Sequence, residues 1–348
     1  MPASLFLPIS IKRNALGFHQ AMRRFWSANG VAVGSVLLAL LGGCSGGHSH
    51  TIAVVPQTTA QEIWEAEHAG VAKALLGTRW KERWNGPSSE TEVDRQIALV
   101  QQAIRQRDGG LILAPDHPIA LMTAVRMAAE QGMPVVVIDA TLNLPASLHV
   151  DYLLNDEQRT GELVADRIGT ILHGHGTVAV LGETTALMGT VARAEAFRQR
   201  MSARYPEITV LDPLPGRFRT NLAEQDTEEL LAGHPELNAI FTLTVGATRG
   251  VYRGLKLKQR IPQVRLVACD QDLDLVYYLR RGEIDSLVAE NTFAMGYRAT
   301  RLITEHRAGT AERQAAQVLR FAPRLVTREN VDTPEIQQML NMDWRPTQ

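Results

Sequence analysis

The sequence predicts an α/β protein made of two doubly wound, parallel-sheet halves of similar size. Three observations lead there. From Thr51 onward, short β-branched runs alternate with longer amphipathic stretches, the order expected of parallel sheets covered by helices. The 348-residue chain leaves roughly 300 residues beyond an apolar N-terminal stretch, room for two ordinary domains. Its only cysteines are Cys44 and Cys269, so the fold has to rest on a hydrophobic core of ordinary size and not on a disulfide framework.

The apolar run 52–55 predicts the first strand, and the amphipathic stretch 63–76 a helix after it. A strand over 80–84, a helix over 92–107, a strand over 111–113 and a helix over 119–131 continue the alternation. The valine-rich run 135–138 is the next strand, opened by Pro134 where a missing N–H is tolerated. A second series begins with a helix over 156–172, then strand 177–181, helix 191–204, strand 208–211 and helix 222–231. Strand 239–243, helix 247–257, strand 265–268, helix 273–281, strand 286–289 and helix 293–308 complete it. In such sheets ligands settle outside the carboxyl ends of the strands, so the residues just after each strand carry the functional interest.

The N-terminus has a logic of its own. Lys12, Arg13, Arg23 and Arg24 precede an apolar run over 31–41 that stops at Gly42-Gly43-Cys44. That order reads as an export signal, since a membrane span needs roughly 20 apolar residues. Leu41-Gly42-Gly43-Cys44 resembles the lipobox of bacterial lipoproteins, which implies a signal peptide over 1–43, acylation of Cys44 and a lipidated tether over 44–50. An uncleaved signal anchor is the alternative. The mature chain is then expected on the extracytoplasmic side of the bacterial envelope, held to the membrane by its lipid, with His48 and His50 as solvated tether residues. Only Cys269 would remain unmodified, leaving no intramolecular disulfide.

A formal net charge of −1 gives no basic surface for nucleic acid. The stretch 51–74, with Gln61, Trp64 and His68-Ala69-Gly70, is followed by Gly-Gly-Leu-Ile-Leu-Ala-Pro-Asp at 109–116 and Gly-Met-Pro-Val-Val-Val-Ile-Asp at 132–139. Then come Asp156 with Gly161, Arg193 with Phe197, the run 267–270, and Met295-Gly296-Tyr297. Taken in that order, these segments resemble the type I periplasmic solute-binding proteins, the sugar-binding group of ribose-binding proteins. The resemblance implies two lobes joined by a three-segment hinge: 51–153 plus 291–320, and 154–290 plus 321–348. It also implies a monomeric, non-enzymatic protein without cofactor that closes on a sugar or similar polyhydroxylated molecule and presents it to an ABC permease. Presentation of the ligand to a membrane sensor kinase or chemoreceptor is the alternative output. LacI-type repressors share the domain but need an N-terminal helix-turn-helix, where this chain has a signal.

The same resemblance carries ligand-binding roles onto particular residues. Trp64, with Gln61 in the loop before it, falls where the family sets an aromatic ring against the sugar; the other reading is a core tryptophan. Asp139 matches a carboxylate that accepts from sugar hydroxyls, or is a helix N-cap. Arg193 matches a cleft arginine whose planar fork donates twice, or is a solvated helix arginine. Asp270 ends its strand in register with the family. Thr244-Val245 replaces the usual Asn-Asp, Ala114 a frequent Asn, Cys269 a frequent aromatic and Glu290 a Gln or Asn. With Asp139, Asp270 and Glu290 facing Arg193, the cleft should carry surplus negative charge and favour neutral polyols or amino sugars over uronic acids. An amine could pair with Glu290, unless that side chain turns to the backbone at the crossing. Glu183 and Thr184 either replace lost contacts or form a loop.

Other chemistry finds little support. His173-Gly174-His175 reads as a helix-to-strand turn and not as a metal site, and from Thr51 onward neither a phosphate-cradling Gly-rich loop nor a Gly-x-Ser-x-Gly elbow occurs. A glycosidase using Asp139 and Asp270 as its pair is the third class, which sustained turnover of an aryl glycoside would reveal.

Overall fold

A computed structural model describes residues 49–89, 91–184, 188–211, 220–309 and 316–345. The expected signal peptide, Cys44 and the tether as far as His48 lie outside the described residues. From Ser49 the chain forms one compact unit carrying two six-stranded sheets.

The first sheet takes β1 (Thr51–Val55), β2 (Lys81–Trp84), β3 (Gly110–Leu113), β4 (Val135–Ile138), β5 (Asp151–Asn155) and β11 (Val318–Phe321), in the order β11-β5-β4-β3-β1-β2. Every neighbouring pair is parallel, with Ile52 opposite Gly110 and Val136 opposite Asp151. Both faces are therefore covered by helices, and β3 and β4 are buried at every position. The two-residue period of a strand divides the core. Ala53, Val55 and Leu111 meet α2 (Val93–Arg105) and α3 (Pro118–Glu130) on one face. Ile52, Val54 and Ile112 meet α1 (Ile63–Leu75) and α9 (Thr292–Ala308) on the other.

The second sheet repeats the plan with β6 (Gly176–Leu181), β7 (Ile208–Leu211), β8 (Ala239–Thr242), β9 (Arg265–Cys269), β10 (Ser286–Ala289) and β12 (Arg324–Thr327), ordered β12-β10-β9-β8-β6-β7. Only β12 runs antiparallel, placing Ser286 opposite Thr327. Val178, Phe241 and Val267 pack under α4 (Glu157–Ile171) and α5 (Met188–Arg204). Ile240, Leu266 and Leu287 pack under α7 (Val245–Leu257), α8 (Leu273–Arg280) and α10 (Pro334–Met339), and α6 (Thr220–Gly233) lies beside α7.

The chain passes between the sheets after β5, after β10 and between β11 and β12, the three-segment hinge that the family resemblance implies. Gln271 clamps the second crossing, donating to the Glu290 carbonyl at 2.8 Å and accepting from its N–H at 2.9 Å. Among the described residues, no helix is long and apolar enough to cross a membrane.

The expected boundaries shift at both ends. Ser49 and His50 are part of the body and not tether: the Ser49 N–H bonds Arg107 at 3.0 Å, the His50 carbonyl accepts from Lys81 at 2.8 Å, and its ring meets Trp80 edge-on. At the other end α10 joins the second core through Ile336 and Met339. The tail then returns to the first lobe, where Trp344 stacks on His68 at 4.5 Å and His68 stacks in turn on Trp84 at 4.2 Å.

Candidate functional site

The strand ends of the two sheets build two facing walls. In the first, α1 and α9 cross with their backbones in contact: a Cβ on Gly70 would lie 2.0 Å from the Phe293 carbonyl oxygen, and one on Gly296 would lie 2.2 Å from that of Glu67. This approach sets Trp64 and Glu67, one turn apart on α1, against the carboxyl end of the sheet. Trp64 is buried among Ile138, Ala114 and Leu153, and its indole Nε1 finds no hydrogen-bond partner among the described residues. Asp139 follows β4 with left-handed backbone, φ 63°, and accepts from Asn155 Nδ2 at 2.8 Å. No helix starts there, so Asp139 is not an N-cap. The residue keeps open surface although protein surrounds it, and it feels the charges of Glu157, Arg193 and Asp270 on the opposite wall.

Electrostatics on this wall favour protons. Burial, then the charge of Asp139, pushes the Glu67 carboxyl up to about 8. Enclosure by protein, then Glu157, pushes Asp139 up to about 7, against the pull of Arg193. Glu67 Oε2 and Asn155 Oδ1 are buried and find no hydrogen-bond partner among the described residues.

The second wall is organised by Arg193. A Cβ on Gly161 would lie 2.3 Å from the Arg193 carbonyl oxygen, so α4 and α5 touch there and bring Glu157, one turn before Gly161, onto the guanidinium. Arg193 Nη2 donates to Glu157 Oε1 at 3.2 Å and to Glu290, and Nη1 donates to Asp270 at 2.8 Å and to the Leu243 carbonyl at 3.1 Å. The fork therefore gathers three carboxylates from the ends of two strands and the start of a helix. Burial alone would lower the guanidinium's proton affinity, but Asp270, Glu157 and Glu290 carry it well above the ordinary value. Glu290 in return is raised well above a normal carboxylate, first by burial and then by Asp270.

The walls meet at one edge, where Glu62 Oε2 accepts from the Leu273 N–H at 3.1 Å across the cleft, at the positive end of α8.

Of the residues expected in the site, Asp139, Arg193, Asp270 and Glu290 come together, and Trp64 borders them. Arg193 is 5% exposed and not a solvated helix residue. Glu290 neither stays open for a ligand nor turns to the backbone, because Arg193 takes its carboxylate. Thr244 spends its hydroxyl as the N-cap of α7, accepting from Ala247 N at 3.2 Å. Gln61 is exposed beside the mouth, and Glu183 pairs with Arg198 in the loop after β6. Glu157, Glu67 and Asn155 escaped the sequence reading. Glu157 follows the Asp156 cap and Asn155 ends a strand not anticipated, so only their places beside a crossing could have marked them.

Among the described residues, no group of three or more His, Cys, Asp and Glu side chains is arranged to hold a metal. His173 and His175 occupy the turn between α4 and β6.

Comparison with known proteins agrees with this architecture. A family model described as periplasmic binding protein domain matches residues 52–311. The D-ribose/D-allose-binding protein of Pseudomonas aeruginosa is 25% identical over 240 residues, 67% of this chain and 74% of that protein. A sugar-binding protein of a sugar ABC transporter from Bacillus halodurans superposes with a TM-score of 0.74 at 22% identity, covering 81% of this chain and 98% of that one. An ABC transporter solute-binding protein from Agrobacterium vitis, solved with bound D-fucose, gives 0.73 at 23% identity, covering 83% and 99%. The match runs from β1 through α9 and takes in the first two crossings, and the chain belongs to the type I periplasmic binding proteins, a family that binds its ligands without turning them over.

Proposed function

We propose that the protein is a lipid-anchored, extracytoplasmic substrate-binding protein that captures a sugar or similar polyhydroxylated molecule between its lobes and delivers it to an ABC importer. The observation that carries this reading is the pair of polar walls at the carboxyl ends of two facing sheets, one built on Arg193 and the other on Asp139. Relatives named for ribose, allose and fucose recognition support the ligand class, and Leu41-Gly42-Gly43-Cys44 supports the anchor. In this reading the lobes are 49–155 with 291–321 and the tail tip, and 156–290 with 324–340. Trp64, Asp139, Arg193 and Asp270 meet the ligand, Glu157 and Glu290 hold Arg193, and Gln61 and Thr244 serve at the mouth and as a helix cap.

A thermal-shift panel of pentoses, hexoses and polyols tests it, since ligand at 100 times Kd stabilises by about 2.7 kcal/mol. A hit should also shrink the radius of gyration in small-angle scattering, because contacts made only in the closed form bias the hinge. Absence of any stabilising carbohydrate overturns the ligand class. For the anchor, Cys44→Ser should move the protein from the membrane to the soluble fraction; retention in the membrane fraction would refute acylation.

A further inference from the structure

Five carboxylates gather around the cleft, from Glu67, Asp139, Glu157, Asp270 and Glu290, and among the described residues Arg193 is the one Lys or Arg side chain that pairs with any of them. Its guanidinium is spent on three, and among the described residues no Lys or Arg forms an ion pair with Glu67 or Asp139 on the first wall. A site meant for hydroxyls alone would gain nothing from this excess, because neutral donors are satisfied by one or two acceptors. Nor is the excess absorbed locally. Glu67 is 1% exposed and Asn155 4% exposed, yet Glu67 Oε2 and Asn155 Oδ1 are both acceptors without a donor among the described residues. Both lie beside Asp139, the one carboxylate of the five with substantial open surface. Buried acceptors are costly to leave unmatched, and two of them beside one open carboxylate call for a multiply donating group.

We infer that the ligand carries a protonated amine seated at Asp139, between Glu67 and Asn155. This inference rests on the sugar-capture reading and narrows it to polyhydroxylated amines: amino sugars, imino sugars or amino polyols. An ammonium offers three N–H donors with its charge, which matches Asp139 and the two unmatched acceptors. It differs from pairing an amine with Glu290, because Arg193 already holds that carboxylate. The elevated proton affinities of Asp139 and Glu67 fit the same picture: without ligand, protons stand in for the missing cation, and the amine displaces one on arrival.

The test is titration calorimetry with matched probes that differ in one group: D-glucose with D-glucosamine, D-galactose with D-galactosamine, and 1,5-anhydro-D-glucitol with 1-deoxynojirimycin. The best-binding amine should exceed its neutral partner at least tenfold, and N-acetylation should erase that advantage. At pH 6.3, runs in two buffers of different ionisation enthalpy should show close to one proton released per amine bound and none for the neutral partner. Asp139→Asn should bring the amine-to-neutral ratio to within about twofold, and the proton count on the unaltered protein stands whether or not that variant folds. A neutral sugar binding as tightly as its amine partner, without proton release, overturns the amine while leaving sugar capture intact. Failure of every probe, neutral and amine alike, overturns both.

Discussion

The two walls of the cleft solve the burial of charge in opposite ways. In the Arg193 wall three carboxylates share one guanidinium, and α4, α5, β9 and β10 each deliver one member to a network closed on itself. The Asp139 wall has one buried carboxylate and one with open surface, and among the described residues no Lys or Arg pairs with either, so protons and unfilled acceptors take the cation's place. The difference teaches that one lobe is preassembled and the other waits. A preorganised wall fixes where the ligand goes, while an unsatisfied wall supplies the energy that appears only on closing.

Breaking the closed network should produce the largest effect. Arg193→Ala leaves three carboxylates facing each other without their cation, and removing one partner of a buried ionic network typically costs about 3–5 kcal/mol. Chemical denaturation should show that loss together with abolished ligand binding; a loss below about 1 kcal/mol would mean that solvent reaches the cluster freely.

The waiting wall should respond in the opposite direction. The proton affinity of Glu67 is higher folded than unfolded, so its contribution to stability is full below the ordinary carboxylate range and drains away as pH rises toward 8. Each pH unit of that window costs up to about 1.4 kcal/mol. Glu67→Gln fixes the neutral form, so it should be nearly neutral in thermal unfolding at pH 5 and stabilising at pH 8. Equal effects at both pH values would show that Glu67 does not titrate in this window.

The smallest effect sharpens the boundary of the Arg193 wall. Thr244→Ala removes an N-cap and should cost about 1 kcal/mol. An affinity loss of more than tenfold in the same variant would return Thr244 to the ligand.

Much of the fold was legible because β-branched runs such as 135–138 and amphipathic stretches such as 93–105 carry their period openly. The elements that escaped are the short ones at the periphery. Exposure alternates along β11 at the edge of its sheet, β12 is the antiparallel exception, and α10 has only six residues, beginning at Pro334. Gly70, Gly161 and Gly296 stood out as motif residues, and their role is now physical: each lets two helices touch at a point that aims a charged or aromatic side chain into the cleft. Asp270 was readable from its place after a strand, and Arg193 from the family resemblance, since it sits within a helix. The partnership of Glu290 with Arg193 was not, because it joins positions 97 residues apart that only the fold brings together.

The returning tail has a consequence for watching this protein work. Residues 340–343 bridge from a helix rooted in the second lobe to an indole resting on the first, where His68 lies between Trp344 and Trp84. Any rotation of the lobes must stretch that bridge or peel the indole from the imidazole. Trp344 is 41% exposed while stacked, so peeling would hand one of the five tryptophans from an aromatic neighbour to water and alter its emission. The chain thereby carries an intrinsic optical reporter of domain motion, and a tag fused directly behind it would load the same spring.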